Sequence, residues 1–299
     1  MTVSPQQGAN RSTSFVVGGV PEPMNLPWQL AIADGTFADA HLDVEWVEQP
    51  GGTGAIAAAI SDRSLDAATI LTEGAIAAIV NGADLRICSL WVQSPLIWGI
   101  HVSGKSGART IHDFEPVRFA VSRLGSGSHL MAYLLAARDG FALTAEQLVV
   151  VGDIDGARSA LRDNRADVFL WEKYMTSPLV HTGEFRRIDT IDTPWPSFAI
   201  AAHVDTFSSR ARELDQLIVV AQRAAAQFAR HPKAADRIVS RYGLTRRDAD
   251  EWLDGYDFAG ATGIPAGLVD DVQDRLLRVG AITTKKPSAA IVAPANIAK

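Results

Sequence analysis

The chain has 299 residues, 47 % of them hydrophobic and 21 % charged, which predicts a globule large enough for one α/β domain or two lobes and excludes a disordered chain or a coiled coil. Its 28 Lys and Arg against 34 Asp and Glu leave a net charge of −6 with no basic run, so the electrostatic footprint of a nucleic-acid binder is missing. One cysteine, Cys88, and the lack of His/Cys sets at ligand spacing predict neither an internal disulfide nor a metal site.

In chain order, residues 1–14 are polar and carry no apolar leader core, so the sequence reads as cytoplasmic as written, or as periplasmic or extracellular if an export signal has been removed. No run approaches the roughly 18 consecutive apolar residues of a membrane span, and membrane insertion is not expected. Short apolar runs predict strands at 14–19, 42–47, 66–71, 86–92 and 97–102, alternating with helices at 26–33, 54–61 and 73–80. The Gly/Ser/Lys stretch 103–110 reads as a linker. A second series follows: strand 117–121, helix 128–138, strand 147–151, helix 156–162, strand 166–170, helix 172–180 and strands 185–189 and 198–203. Beyond these, Leu214, Leu217, Ile218, Ala221, Ala225 and Phe228, then Leu268, Val272, Leu276 and Val279, recur at helical spacing and predict amphipathic covering helices. The end, 283–299, has no periodicity and is expected to be a flexible tail.

Alternating strands and helices predict mostly parallel sheets, and helices without a sheet of their own must return to the first half to bury their apolar stripes. The expected architecture is two α/β lobes: residues 14–102 with 200–282, and residues 103–199. Crossings are expected near 101–105 and 197–203, with a cleft between the lobes.

In parallel α/β sheets, ligands bind beyond the strand ends, where helix N-termini present free N–H groups. The residues after the strands are therefore the candidates. Gly51-Gly52-Thr53-Gly54 and Gly125-Ser126-Gly127-Ser128 suit backbone contact with an anion, or act only as turns with Thr53 and Ser128 as caps. Neither matches GxxxxGK[ST] or GxGxxG, so a nucleoside triphosphate or dinucleotide site is not supported. Glu22, Glu73 and Glu172 fall at strand ends, with Trp28, Trp171 and Trp195 near them in sequence. Carboxylates there suit an ammonium, amidine or amino-heterocycle and a Trp face suits a flat ring; first-turn helix placement and core packing are the simpler explanations. Arg123, beside Ser122, can hold an anion or pair across the cleft with one of these glutamates. His129 either contacts the ligand or packs. Cys88 lies within an apolar strand, where a buried inert thiol is expected. GxSxG and HExxH motifs are absent.

The run Pro21-Glu22-Pro23, then Leu30-Ala31-Ile32-Ala33-Asp34-Gly35-Thr36-Phe37, then Leu42-Asp43-Val44-Glu45, the glycine loop 51–54 and Leu65-Asp66-Ala67-Ala68 resembles type II periplasmic solute-binding proteins. The branch resembled is the one for nitrate, sulfonate, taurine and thiamine-pyrimidine precursors. Ser122-Arg123-Leu124-Gly125-Ser126-Gly127-Ser128-His129, Trp171-Glu172 and Thr193-Pro194-Trp195-Pro196 resemble a subgroup of it without signal peptides. The resemblance implies two lobes closing over a small molecule without chemistry and without a cofactor. It implies an ABC permease as partner, and site positions at Glu22, Thr53, Glu73, Ser122, Arg123, Ser126, Gly127 and Glu172. Desulfinases and pyrimidine synthases on this scaffold use cysteines that this chain does not place in those loops. Binding of an amino-heterocycle, zwitterion or sulfonate-like metabolite by a monomer or weak dimer is thus the expectation. The alternatives are an enzyme with Glu73 or Glu172 as base and His129 as acid, and an intracellular ligand sensor.

Overall fold

The apolar runs assemble into two five-stranded sheets in a computed structural model that describes residues 13–260 and 263–293. The first half supplies β1 (Thr13–Gly19), α1 (Leu26–Ala33), α2 (Thr36–Asp39), β2 (Leu42–Glu48), α3 (Gly52–Ser61), β3 (Ala67–Leu71), α4 (Thr72–Val80) and β4 (Leu85–Val92). The second supplies β5 (Ile97–Ser103), β6 (Phe119–Val121), α5 (Gly127–Asp139), β7 (Leu148–Val150), α6 (Ile154–Arg162), β8 (Val168–Glu172), α7 (Ser177–His181) and β9 (Phe185–Asp192). β10 (Phe198–His203) then leads into α8 (Val204–Ala229), α9 (Ala234–Tyr242), α10 (Arg246–Gly255) and α11 (Leu268–Arg278).

Strand order is β2-β1-β3-β10-β4 in one sheet and β7-β6-β8-β5-β9 in the other. β1 runs parallel to β2 and β3, and β6 parallel to β7 and β8. β10 is antiparallel to β3 and β4, and β5 is antiparallel to β8 and β9. Each sheet is therefore a parallel set interrupted by one incoming strand, the first strand after a crossing. In consequence the C-terminal ends of the parallel strands in both sheets lie on the side where the chain passes between lobes. That is the side on which parallel α/β sheets bind ligands.

Alternation along the strands sorts side chains to opposite faces. Phe15 and Val17 of β1 join Trp28 of α1 and Leu214 and Leu217 of α8 in one cluster, whereas Ala68 and Ile70 of β3 join residues of α3, α4 and α11 in another. Trp28 is fully buried and its ring lies 5.6 Å from Phe37 and 5.4 Å from Trp91, centroid to centroid, so this tryptophan is core. Burial of each such side chain stabilises the fold by ~1.5–3 kcal/mol. Among the described residues no helix is long and apolar enough to cross a membrane.

Three expectations are corrected. The strand at 97–102 belongs to the second sheet, so the first crossing lies at 93–96 rather than near 101–105, and the second at 193–197, just ahead of β10. The helix expected at 172–180 is shorter: β8 runs on through Glu172, and α7 starts only at Ser177, with Pro178 in its first turn. The tail expected from 283 onward is structured up to 293, and the part from 294 lies outside the described residues. Ile291 is fully buried; its carbonyl accepts from Ile87 N at 2.9 Å, and Ala293 N donates to Ile87 O at 2.8 Å. The reason is physical: β4 is an edge strand, and this segment covers N–H and C=O groups that would otherwise be unpaired. Residues 257–259 do the same at the other end of β4, through Asp257 O accepting from Gln93 N and Ala259 N donating to Trp91 O.

Candidate functional site

Glu22 follows β1 and Glu172 is the last residue of β8, and the charge of the first acts on the second. Burial pushes the Glu22 carboxyl up to about 7. Burial, and then the charge of Glu22, push Glu172 up to about 8. Backbone N–H groups of Tyr174 and Met175 donate to Glu172 Oε2 at 2.8 and 2.6 Å, while Oε1 is buried without a hydrogen-bond partner among the described residues. Glu22 is only partly buried, and Tyr242 Oη, from α9, donates to its backbone carbonyl at 3.0 Å.

Glu73 stands in the first turn of α4, 2 % exposed. Its Oε2 accepts from Trp195 Nε1 at 2.8 Å, its Oε1 has no partner among the described residues, and burial pushes the carboxyl up to about 7. Trp195 belongs to the return crossing, with the Arg275 guanidinium of α11 6.0 Å from its ring centroid. Both carboxyls thus serve as acceptors at the lobe junction.

The serine loop closes largely on itself. Ser126, not Ser128, caps α5 by accepting from His129 N, and Ser128 Oγ accepts from Ser122 N at 3.0 Å. Ser126 Oγ lies 3.1 Å from Ser128 Oγ. Gly125 N donates to His129 Nδ1 at 2.9 Å, so that nitrogen carries no proton, and burial lowers the affinity of the ring for a second one. His129 packs edge-on against Tyr133 at 5.2 Å between ring centroids.

Arg123 reaches from β6 to the first lobe. Its Nη1 donates to Gly51 O at 3.4 Å, and a Cβ at Gly54 would lie 2.9 Å from the guanidinium carbon, so a side chain there would make the guanidinium shift. It makes no ion pair among the described residues. Thr53 does not cap α3, whose cap position is Gly51; its methyl lies against Gly74 of α4 instead. Gly127 is the second close approach: a Cβ there would lie 2.9 Å from the Trp98 ring and 3.2 Å from Leu71 of the opposite lobe. Trp171 alternates with Glu172 and points to the other face of β8, stacked on Phe169 at 5.3 Å against the α6 side. The fold brings Glu22, Glu73, Ser122, Arg123, Ser126, Gly127, Glu172 and Trp195 to the lobe junction and turns Trp171 away from it.

Residues not anticipated from the sequence stand beside these candidates. Trp98 pairs with Glu172 in the β5–β8 register, and its Nε1 is buried without a partner among the described residues. The Tyr256 hydroxyl is held well above its ordinary value, by burial first and then by the charges of Glu172 and Glu22. Tyr174 Oη accepts from Lys173 Nζ at 3.3 Å, and that ammonium also lies 3.5 Å from Glu251 of α10. Among the described residues no group of His, Cys, Asp and Glu could hold a metal ion.

Residues 98–191, from β5 to β9, match the family model described as Ca3427-like PBP. Among solved structures, the Candida albicans CA3427 gene product, which defines a family with the generic periplasmic binding protein fold, is 24 % identical and covers 92 % of each chain at a TM-score of 0.85. The alkanesulfonate-binding protein SsuA of Xanthomonas axonopodis pv. citri, bound to MOPS, is 17 % identical over 95 % of this chain and 99 % of its own, with a TM-score of 0.80. The nitrate-binding protein NrtA of Synechocystis PCC 6803 is 15 % identical over 92 % and 84 %, with a TM-score of 0.69. A search of curated protein sequences finds no match. Two mixed sheets joined by two crossings of the chain, covered by C-terminal helices, give this chain the type II periplasmic-binding-protein fold, in the likeness of the sulfonate and nitrate binders.

Proposed function

We propose that the protein binds a small polar metabolite between its lobes and releases it unchanged, as a solute-binding protein of the ABC-import type or an intracellular relative of one. The observation that carries this reading is the pair of buried carboxyl oxygens, Glu73 Oε1 and Glu172 Oε1, without partners among the described residues at the junction of the lobes. An unpartnered buried polar atom costs ~1–3 kcal/mol, so a protein retains two at one junction where something other than the protein meets them. Amino-heterocycles, zwitterions and sulfonates are the ligand classes, and an ABC permease is the partner that an import role requires. Against an enzyme with His129 as acid stands the hydrogen bond from Gly125 N, which occupies Nδ1 and favours the neutral ring.

Native mass spectrometry of freshly purified protein tests the proposal. A small molecule retained in the intact complex and lost on denaturation is the expected result. Calorimetry against aminopyrimidines, polyamines, sulfonates and nitrate follows, and silence from every class, with no molecule retained, contradicts it.

A further inference from the structure

The first sheet carries a second polar cluster, at the end opposite Glu22 and Glu73. Asp66 immediately precedes β3, and His203 ends β10, which runs antiparallel to β3, so both lie where β3 begins. A cavity of about 170 Å³ opens to solvent there, lined by Arg63, Asp66, His203, Asp205, Thr206 and Arg210. The five residues of β3, at ~3.3 Å each, separate it from the lobe junction by roughly 16 Å.

Both carboxylates in this cluster are already paired, whereas its donors are in surplus. Asp66 accepts from Val16 N at 2.8 Å and from Arg210, and Asp205 accepts from Arg63. Each guanidinium carries five N–H groups. Among the described residues Arg63 gives one to Asp205, and Arg210 gives one to Asp66 and one to Ser14 O at 2.7 Å. His203 adds another donor. Asp205 N donates to its Nδ1 at 3.1 Å, so that nitrogen carries no proton and the ring N–H is on Nε2. The residue is 5 % exposed, yet Nε2 has no hydrogen-bond partner among the described residues and is not sealed from water, so it emerges in the cavity that His203 lines. Thr206, also 5 % exposed, brings a hydroxyl to the same wall.

The two ion pairs differ in how firmly they are held. Arg210 and Asp66 are 28 and 27 % exposed, and the Arg210 guanidinium lies 4.3 Å from the Phe15 ring centroid, which makes this pair a fixed wall. Arg63 and Asp205 are 67 and 56 % exposed. An exposed pair of that kind is worth about 0–1 kcal/mol, so Asp205 yields Arg63 to a better acceptor at little cost. Arg63 also holds φ at +67°, a backbone that glycine adopts without strain, and what arginine brings to that position is its side chain.

We propose that this cavity is a second binding site, for a phosphate group, with Arg63 holding two of its oxygens side by side and His203 Nε2 and the Thr206 hydroxyl donating to the others. Arg210 stands behind as the fixed positive charge. A planar guanidinium matches paired oxyanion oxygens, and such charge-assisted bonds are the strong ones. The site is independent of the clamp reading and adds a second ligand to it.

The test is titration calorimetry of the full chain, in phosphate-free buffer, with inorganic phosphate and with glycerol 3-phosphate. Saturable binding of both is expected; tighter binding of the ester identifies a phosphomonoester as the source of the group, and equal binding identifies free phosphate. Arg63→Gln and His203→Asn, which keeps an acceptor for Asp205 N and withdraws the Nε2–H, should each weaken binding by about tenfold or more, the scale of one charge-assisted hydrogen bond. Arg247→Gln, at an exposed arginine of α10, should leave it unchanged. Thermal unfolding reports whether each variant folds; Arg63 is largely exposed, so its variant carries the test if His203→Asn does not fold. Equal weakening by Arg247→Gln would mean diffuse attraction to surface charge and overturns the site. Weakening by Arg123→Gln with Arg63→Gln unaffected moves the anion to the lobe junction and overturns it too, as does silence from both phosphates.

Discussion

Trp195, in the return crossing, donates its indole N–H to Glu73 Oε2 at 2.8 Å, tying the segment that re-enters the first lobe to the first turn of α4. The bond bridges two parts of the chain 122 residues apart and seals one of the two oxygens of a buried carboxyl. Trp195→Phe keeps the ring and removes the donor, leaving both oxygens without partners. Denaturant unfolding should show a loss of ~1–3 kcal/mol, whereas Glu73→Gln, whose amide oxygen can still accept, should cost less. An equal cost for both variants would contradict this role of the bond.

Stability should fall as pH rises across the neutral range. Glu22 and Glu73 ionise near 7 and Glu172 near 8 in the fold, against 4.5 when unfolded, mainly through burial. The folded state therefore holds these protons more tightly, and the stability they contribute is full below about 4.5 and lost progressively up to about 8. The groups acting on Glu172 are Glu22, Tyr174, Met175, Tyr256 and Lys173; the backbone N–H groups of Met175 and Tyr174, and then the Lys173 ammonium, oppose the trend. Melting temperatures of Glu73→Gln and Glu172→Gln, measured from pH 5 to 8.5, should slope less than those of the parent protein. Parallel slopes would show that these carboxyls titrate normally.

Much of this was legible in the sequence because parallel α/β folds place their loops by rule. Glu22, Glu73 and Arg123 each follow a strand, so the strand pattern alone marks them as candidates. Trp171 and Glu172 were read together because they adjoin in sequence; since β8 runs on through them, alternation sends them to opposite faces. Trp98 lies inside an apolar strand where nothing in its neighbours marks it as polar in role. Tyr256 arrives only because residues 257–259 bond to the end of β4, a long-range pairing with no periodic signature.

Gly54 and Gly127 hold the lobes close by lacking side chains. Gly127→Val drives methyls towards Leu71 of the first lobe as well as into Trp98 of its own, and Gly54→Leu displaces the Arg123 guanidinium. Each should keep its secondary structure by circular dichroism, lose ~1–3 kcal/mol at most from overpacking, and show a larger radius of gyration by small-angle scattering. An unchanged radius in both would mean that neither contact limits closure.

The C-terminal segment should behave as part of the first lobe. Ile291→Ala removes a fully buried side chain against the β4 edge and should cost ~2–4 kcal/mol in denaturant unfolding. A cost within error of zero would return the segment to the tail that its sequence suggested.

Amide hydrogen exchange, with and without the small molecule that native mass spectrometry identifies, tests the clamp most directly. Slowed exchange in peptides from both lobes, around Glu22 and Glu73 on one side and around Ser126 and Glu172 on the other, is the predicted result. Protection confined to one lobe, or found away from these strand ends, would contradict it.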